Sequence, residues 1–422
     1  MSARLVYADA QGRIFDHPEL EMVGRSGRRF CRVPAAELIP LPPGSDLFLL
    51  PGRRAVGYDP RRRRLVKAGE RKDLPAEAQA VAAFMAPAHT MSYLAAYLTR
   101  PGAPVLPLFA YTAVGWRQGR FWVAGWRSDP DRRQDLALVD CAQVERQVQD
   151  RLAAGPENRL LKHLAHCALT YGCPAARNLF LQRYEAPLPT SPVCNARCLG
   201  CLSKQQQGAF PAPMQRLTFV PSPEEVAAVA VPHLQQVERA VASFGQGCEG
   251  EPLLQGPTLT AAVGLIRRQV SRGTLNLNTN GSLPAVIAAL VDAGLDSIRV
   301  SLNSARPAYY DAYYRPRGYG LAQVIEGIRA AKAGGAKVAL NYLILPGFND
   351  APDEVAALSR LIDRTGVDLI QLRNLNIDPD YYLQGIGAPD GPRPLGVRRL
   401  VAHLRENFPQ LRFGYFNPAW RG

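Results

Sequence analysis

The spacing of apolar residues changes character near residue 190. Before it, short apolar runs are broken by Pro, Gly and Arg. SDLFLLPGRRAVGYDP (45–60) is typical, and it predicts short strands and turns over residues 1 to about 75. The alanine-rich stretch 75–99 reads as helix, interrupted near Pro87. VLPLFAYTAVGWRQGRFWVAGW (105–126) predicts a hairpin turning at Gln118-Gly119 and carrying Trp116, Trp122 and Trp126. Those rings suit a core or a platform for stacked bases. Residues 140–182 carry helical spacing, with Pro156-Glu157 placed to open a helix and Gly172-Cys173-Pro174 to break one.

After the Pro-rich EAPLPTSP (185–192), taken as a boundary, strand-like and helix-like segments alternate. SPEEVAAVAVPHLQQVERA opens with a helix-start signal, and AVASFGQG follows as a buried strand. TLNLNTNG, SIRVSLNS, KVALNYLIL and VDLIQLRNLN are further strands, each preceded by a helical segment. Strand–helix units without hairpin turns predict a parallel α/β sheet, whose ligands gather at the carboxyl ends of the strands. A chain of 422 residues suits two or three domains. The expected division is an amino-terminal cap or substrate-recognition domain (1–184), an α/β core (185–385) and a carboxy-terminal helix and tail (386–422).

Composition narrows the function. With 47% hydrophobic and 20% charged residues, the chain is not wholly disordered. It has no apolar run of 18 residues, so no membrane-spanning helix is expected. The first residues lack the apolar region of a secretory leader, and a cytoplasmic location is expected. In such a chain eight cysteines point to metal or catalysis rather than disulfides. Of the net charge of +14, residues 1–180 hold +9, from 26 Lys+Arg against 17 Asp+Glu. The densest run is Arg53, Arg54, Arg61 to Arg64, Lys67, Arg71 and Lys72. It reads either as a phosphate-binding surface or as a solvated loop in an Arg-rich chain.

Cys194-Asn-Ala-Arg-Cys198-Leu-Gly-Cys201 places three thiolates in one short loop. They can hold three corners of a [4Fe–4S] cube and leave one iron open. The alternative is a structural zinc completed by a distant ligand such as His166 or Cys248. His163, His166, Cys167 and Cys173 form an H-x2-H-C-x5-C group, which suits an auxiliary cluster, a zinc site or inert buried thiols. Cys31 and Cys141 carry no motif. Cys248 reads as a packed strand-end residue.

Four further segments follow the cysteines in order. They are Gly250-Glu251-Pro252, Asn278-Thr279-Asn280-Gly281, Arg299-Val300-Ser301-Leu302-Asn303-Ser304 and NYLILPGFND (341–350). Together with the cysteine spacing they resemble the radical S-adenosylmethionine (SAM) superfamily over roughly 190–380. The last three are similar to the branch that contains the molybdenum-cofactor enzyme MoaA.

The resemblance implies a partial (β/α)6 barrel with a separate mixed α+β amino-terminal domain. It implies Cys194, Cys198 and Cys201 as ligands of a [4Fe–4S] cluster whose open iron is chelated by SAM. Gly250, Glu251 and Pro252 would receive the SAM ammonium, and Ser301 would bond its ribose or carboxylate. Asn278, Thr279, Asn280, Asn303 and Asn341 complete the implied cofactor site, with Asn374 pointing into the barrel mouth beside Asn341. The chemistry implied is reductive cleavage of SAM to methionine and a 5′-deoxyadenosyl radical, which takes hydrogen from a small-molecule or peptide substrate. The electron would come from an external donor such as flavodoxin or ferredoxin. No residue is assigned to catalysis on the substrate.

A second reading is a radical SAM enzyme that modifies tRNA or rRNA through the basic amino-terminal half. A third is a non-catalytic iron–sulfur or zinc scaffold, against which the intact Cys194, Glu251 and Ser301 set stands. Some features depart from the family. Gly200 occupies a position that is often hydrophobic or aromatic, so adenine needs an apolar contact from elsewhere. No cysteine follows Cys248, unlike MoaA and the SPASM/twitch enzymes, and the chain ends Trp420-Arg421-Gly422 rather than Gly-Gly.

Overall fold

The computed structural model describes residues 2–205 and 210–421; Gly422 lies outside the described residues. Residues 4–127 form an antiparallel sheet around two long strands, Ile14–Ser26 and Asp46–Asp59. The expected hairpin is present, Val114–Arg117 against Arg120–Arg127. Gln118 and Gly119 turn it with φ of 52° and 73°, the left-handed pair that a two-residue loop requires. Its rings are engaged within the protein: Trp116 packs edge-on to Phe121, and the Arg117 and Arg398 guanidinium groups lie over Trp122 and Trp126.

The stretch 75–99 is not helical. It forms the strands Gln79–Phe84, His89–Met91, Leu94–Ala95 and Tyr97–Thr99. Gln79–Phe84 lies in the middle of the sheet, between Asp46–Asp59 and Arg4–Ala8, with Ala80 to Ala83 buried. Small side chains on both faces fit that crowded position, and strand pairing there outweighs the helix propensity of alanine. Three helices follow: α1 (Cys141–Ala154), α2 (Arg159–Leu169) and α3 (Pro174–Phe180). The Asp140 and Asn158 side chains cap α1 and α2, so Pro156-Glu157 belong to the connection and not to a first helical turn.

From Glu185 the chain builds one parallel sheet. Its strands are β1 (Glu185–Leu188), β2 (Val241–Phe244), β3 (Thr274–Thr279), β4 (Ser297–Leu302), β5 (Lys337–Ile344) and β6 (Leu369–Asn374). They pair in chain order, every pairing parallel. The EAPL segment is thus the first strand of the sheet. β1, β2 and β3 are buried at every position, as strands covered on both faces must be. The crossovers carry α4 (Pro223–Gln236), α5 (Gly256–Gln269), α6 (Pro284–Asp292), α7 (Pro307–Tyr314), α8 (Leu321–Ala333) and α9 (Pro352–Thr365). Ser222 and Glu225 close a capping box at the start of α4. After α10 (Pro379–Gly385) and α11 (Val397–Asn407), β7 (Arg412–Gly414) adds a short seventh strand beside β6. Residues 386–422, expected as helix and tail, therefore also extend the sheet. Among the described residues no helix is long and apolar enough to cross a membrane.

Part of the basic run points inward. Arg53 is 3% exposed and pairs with the buried Asp378 at 2.7 Å. Arg25 pairs with Asp380 at 2.5 Å, and both guanidinium groups lie over Tyr97. Arg71 is held by Glu19, Asp59 and Asp73. Asn374 also belongs to this interface. Its side chain accepts from Met91 N–H and donates to His89 C=O, both at 2.9 Å, so it docks the amino-terminal sheet and is not free in the barrel mouth. Arg53→Ala leaves Asp378 charged in a buried site. It should cost about 3–5 kcal/mol in denaturant unfolding, whereas Arg61→Ala, on an exposed pair, should cost less than about 1 kcal/mol.

Candidate active site at the carboxyl end of the barrel

Beyond β1 the chain runs along the loop that follows β2. Gly250 N–H donates to Ser191 C=O at 2.6 Å, and Glu251 N–H to Val193 C=O at 2.8 Å. A Cβ on Gly250 would stand 1.9 Å from the Val193 carbonyl oxygen, so only glycine permits this approach. The buried Glu249 carboxylate accepts from the N–H groups of Thr190, Ser191 and Gln246 at 2.7, 2.9 and 2.8 Å. Glu251, also buried, accepts from Thr279 Oγ1, Asn280 N–H and Leu253 N–H. Burial pushes both carboxyls up to about 7, opposed by these donors. Asn280 Nδ2 donates to Asn195 Oδ1 at 2.7 Å, which ties the cysteine loop to the end of β3.

The loop is backed by α7. Arg197 N–H and Leu199 N–H donate to the Tyr314 and Tyr313 carbonyls. Burial pushes the Cys198 thiol well up and Cys194 up to about 11. Arg216 Nη2 lies 3.4 Å from Cys201 Sγ, placed to donate to it. The missing side chain of Gly200 is replaced from other elements, because the Tyr313 hydroxyl and Ile377 Cδ1 would lie 3.0 and 3.5 Å from a Cβ there. Sequence reading missed Arg216, Tyr313 and Ile377, whose proximity comes only from folding.

The other expected residues divide. Ser301 and Asn341 are register partners on β4 and β5, with Asn341 Nδ2 at 3.5 Å from Ser301 Oγ. The buried Oδ1 of Asn341 has no partner. Asn278 donates to Gly245 C=O at 2.8 Å and joins Asn276 and Asn417. Pro252 is buried at the start of a short turn of helix capped by Glu251. Asn303 departs from expectation. It is fully buried, and its amide donates to Tyr309 C=O and Tyr382 OH, so it packs the end of β4. In NYLILPGFND, Asn349 and Asp350 build the turn after β5 by accepting from Leu345 and Gly347 N–H.

Among the described residues, neither ligand considered for completing a zinc site at the loop groups with two of its sulfurs. His166 Nδ1 is 3.1 Å from Thr170 Oγ1, and Cys248 lies instead beside Cys167 and His163. Among the described residues, the sulfurs of Cys194, Cys198 and Cys201 do not all come within 4.8 Å of one another, a wider spread than donors sharing one ion would show.

Residues 188–359 match the family model of the Radical SAM superfamily. This region is a radical SAM domain. The family's cofactors are a [4Fe–4S] cluster and SAM. The chain is 29% identical over 245 residues to the FeMo cofactor biosynthesis protein NifB of Klebsiella pneumoniae, covering 53% of this chain and 50% of that protein. It is 32% identical over 201 residues to the GTP 3′,8-cyclase of Rhizobium meliloti (strain 1021), covering 45% and 53%. The chain thus spans about half the length of the curated relatives it matches. The solved structure of HydG, a maturase of the [FeFe]-hydrogenase, aligns at a TM-score of 0.39 and 15% identity over 66% of this chain and 63% of that one.

The radical SAM domain meets α2 and α3 at a cavity of about 250 Å³. Asn278, Arg299 and Arg373 line it from the barrel, and Cys167 and Cys173 from the helices. Burial and then the Arg373 charge push Arg299 down to about 10. Glu185 is the one carboxylate among the lining residues. These arginines were also missed. Arg299 is two residues before Ser301, and the two-residue period of a strand puts both on one face. Glu249→Ala would strand three buried N–H groups at about 1–3 kcal/mol each. It should lower denaturant stability by at least about 3 kcal/mol, and Glu249→Gln, which keeps one acceptor, by less. Equal stability of Glu249→Ala and the parent would contradict the clamp.

Proposed function

We propose that this chain is a radical SAM enzyme in which Cys194, Cys198 and Cys201 hold the [4Fe–4S] cluster and SAM lies between the cysteine loop and the ends of β2 to β5. The observation that carries the reading is the clamp of Gly250 and Glu251 on Ser191 and Val193, which sets three thiols over the carboxyl ends of a parallel barrel. The residues fit both groups. The donors are all thiols, spread beyond the reach of one ion. Gly250 leaves bare backbone beside the loop, and Asn341 offers a buried acceptor with no partner.

When bound, the pair supplies a 5′-deoxyadenosyl radical, formed from SAM by one electron from the cluster, which takes hydrogen from the substrate. The chain's own residues do the rest. Arg216 orients the Cys201 side chain by donating to its sulfur. Glu251 and the adjoining carbonyls of Gly250 and Pro252 form an acceptor-rich seat for the N–H groups of the SAM amino nitrogen. Ser301 and Asn341 serve the ribose or carboxylate, Asn278, Thr279 and Asn280 hold the neighbouring strand end, and Tyr313 and Ile377 wall the adenine side over Gly200. The amino-terminal part acts as a cap that keeps water from the radical.

Two half-buried arginines against one carboxylate in the cavity favour a small anionic substrate. The GTP 3′,8-cyclases that the chain resembles act, by their name, on an anionic nucleotide. The RNA-modifying alternative loses support because Arg53 is committed to the buried Asp378 and Arg71 is shared among Glu19, Asp59 and Asp73. A flavodoxin- or ferredoxin-type donor in the cytoplasm would supply the electron, since free thiols persist in a reducing compartment.

Anaerobically reconstituted protein given reductant and SAM should release 5′-deoxyadenosine, and Cys198→Ala should release none. No release from protein with an intact cluster overturns the reading. Glu251 accepts from the SAM amino group through both oxygens only when ionised, and burial pushes its carboxyl up to about 7 in the folded chain. SAM binding should therefore expel a proton below that pH, and affinity measured by calorimetry should rise from about pH 6 to about pH 8. Glu251→Gln should bind more weakly and with a shallower pH dependence, because the proton lost from Glu251 no longer contributes.

A further inference from the structure

A second group of metal-binding side chains lies outside the cysteine loop. His163 and Cys167 are four residues apart on one face of α2, and Cys248 sits in the turn after β2. Cys167 and Cys248 are 2% and 5% exposed. His163 Nε2, Cys167 Sγ and Cys248 Sγ all lie within 4.8 Å of one another, and among the described residues this is the one such His, Cys, Asp or Glu triad. It differs from the set suggested by sequence spacing, since His166 is turned to Thr170 and Tyr171 and the third donor comes from the barrel.

We propose that His163, Cys167 and Cys248 bind a single soft divalent cation of the zinc class, with its fourth position open to the cavity between α2, α3 and the barrel. The spacing distinguishes one ion from a cluster. Tetrahedral zinc with bonds of about 2.0–2.3 Å places its nitrogen and sulfur donors about 3.5–3.8 Å apart. His163 Nε2 and Cys167 Sγ already stand at 3.5 Å. A cube places each thiolate on a separate iron, so its donors stand further apart. An NS2 donor set without carboxylate selects zinc over calcium or magnesium.

The openness follows from the surroundings. Cys167 and Cys248 both face the cavity that Arg299 and Arg373 line. Three protein donors and a vacant fourth position are the pattern of zinc sites that bind water or substrate. The ion would also join α2 of the amino-terminal part to the turn carrying Glu249 and Glu251. The proposal does not rest on SAM cleavage, and its test is read independently of that activity.

The test is metal analysis of the anaerobically purified full-length chain, followed by Co²⁺ titration of the Cys198→Ala chain to remove cluster absorbance. The expected result is about one zinc per chain, together with thiolate-to-cobalt charge-transfer and tetrahedral d–d bands that saturate at one equivalent. His163→Ala, Cys167→Ser and Cys248→Ser should each weaken Co²⁺ binding at least about tenfold and leave the iron content of the otherwise wild-type chain unchanged. Cys173→Ser should keep the bands. No band from a chain whose thiols titrate as free overturns the site, and so do bands that survive Cys167→Ser and Cys248→Ser. Loss of two titratable thiols on isolation identifies a Cys167–Cys248 disulfide and overturns it too. About eight irons per chain without zinc would mean a second cluster and refute the single ion. Loss of the bands in Cys173→Ser would close the fourth position and refute its openness.

Discussion

Glu249 is the group from which the cysteine loop hangs. Its carboxylate gathers the N–H groups of Thr190, Ser191 and Gln246 where water is excluded, while the next two residues bond back to Ser191 and Val193. Buried backbone donors must find an acceptor, and here one side chain satisfies three of them. Glu251 repeats the device toward β3 through Thr279 and Asn280. The loop that carries the three thiols is therefore fixed to two strand ends of a rigid sheet.

A second set of charges, with Arg25, Arg53 and Asp378 buried, fixes the amino-terminal part on the barrel. Arg25 and Arg53 reach Asp380 and Asp378 across the junction, and both rest on Tyr97. Such pairs specify geometry more than they add stability, because each charge must be stripped of water. The net charge of +14 looks different in this light. Part of the basic run is a fastening, and Arg299 and Arg373 bring positive charge into the cavity.

The parallel sheet was legible because strand–helix alternation is a local pattern, and so were the cysteine loop and the Gly250–Pro252 turn. What escaped depends on residues far apart in the chain. Residues 79–84 have a helix former's composition and become a central strand because neighbouring strands demand small side chains. Asn374 and Asn303 look like site residues by position, yet one docks Met91 and the other packs against Tyr382. Arg216, Tyr313 and Ile377 carry no local signal. Cys248 looked like a packed strand end, and folding brings it to Cys167 and His163.

The central claim is that three thiolates hold a [4Fe–4S] cluster with one iron free for SAM. Electron paramagnetic resonance of the reduced protein tests it most directly. A reduced-cluster signal that changes g-values when SAM is added, and that is absent from Cys198→Ala, is the predicted result. A signal identical with and without saturating SAM would contradict the claim.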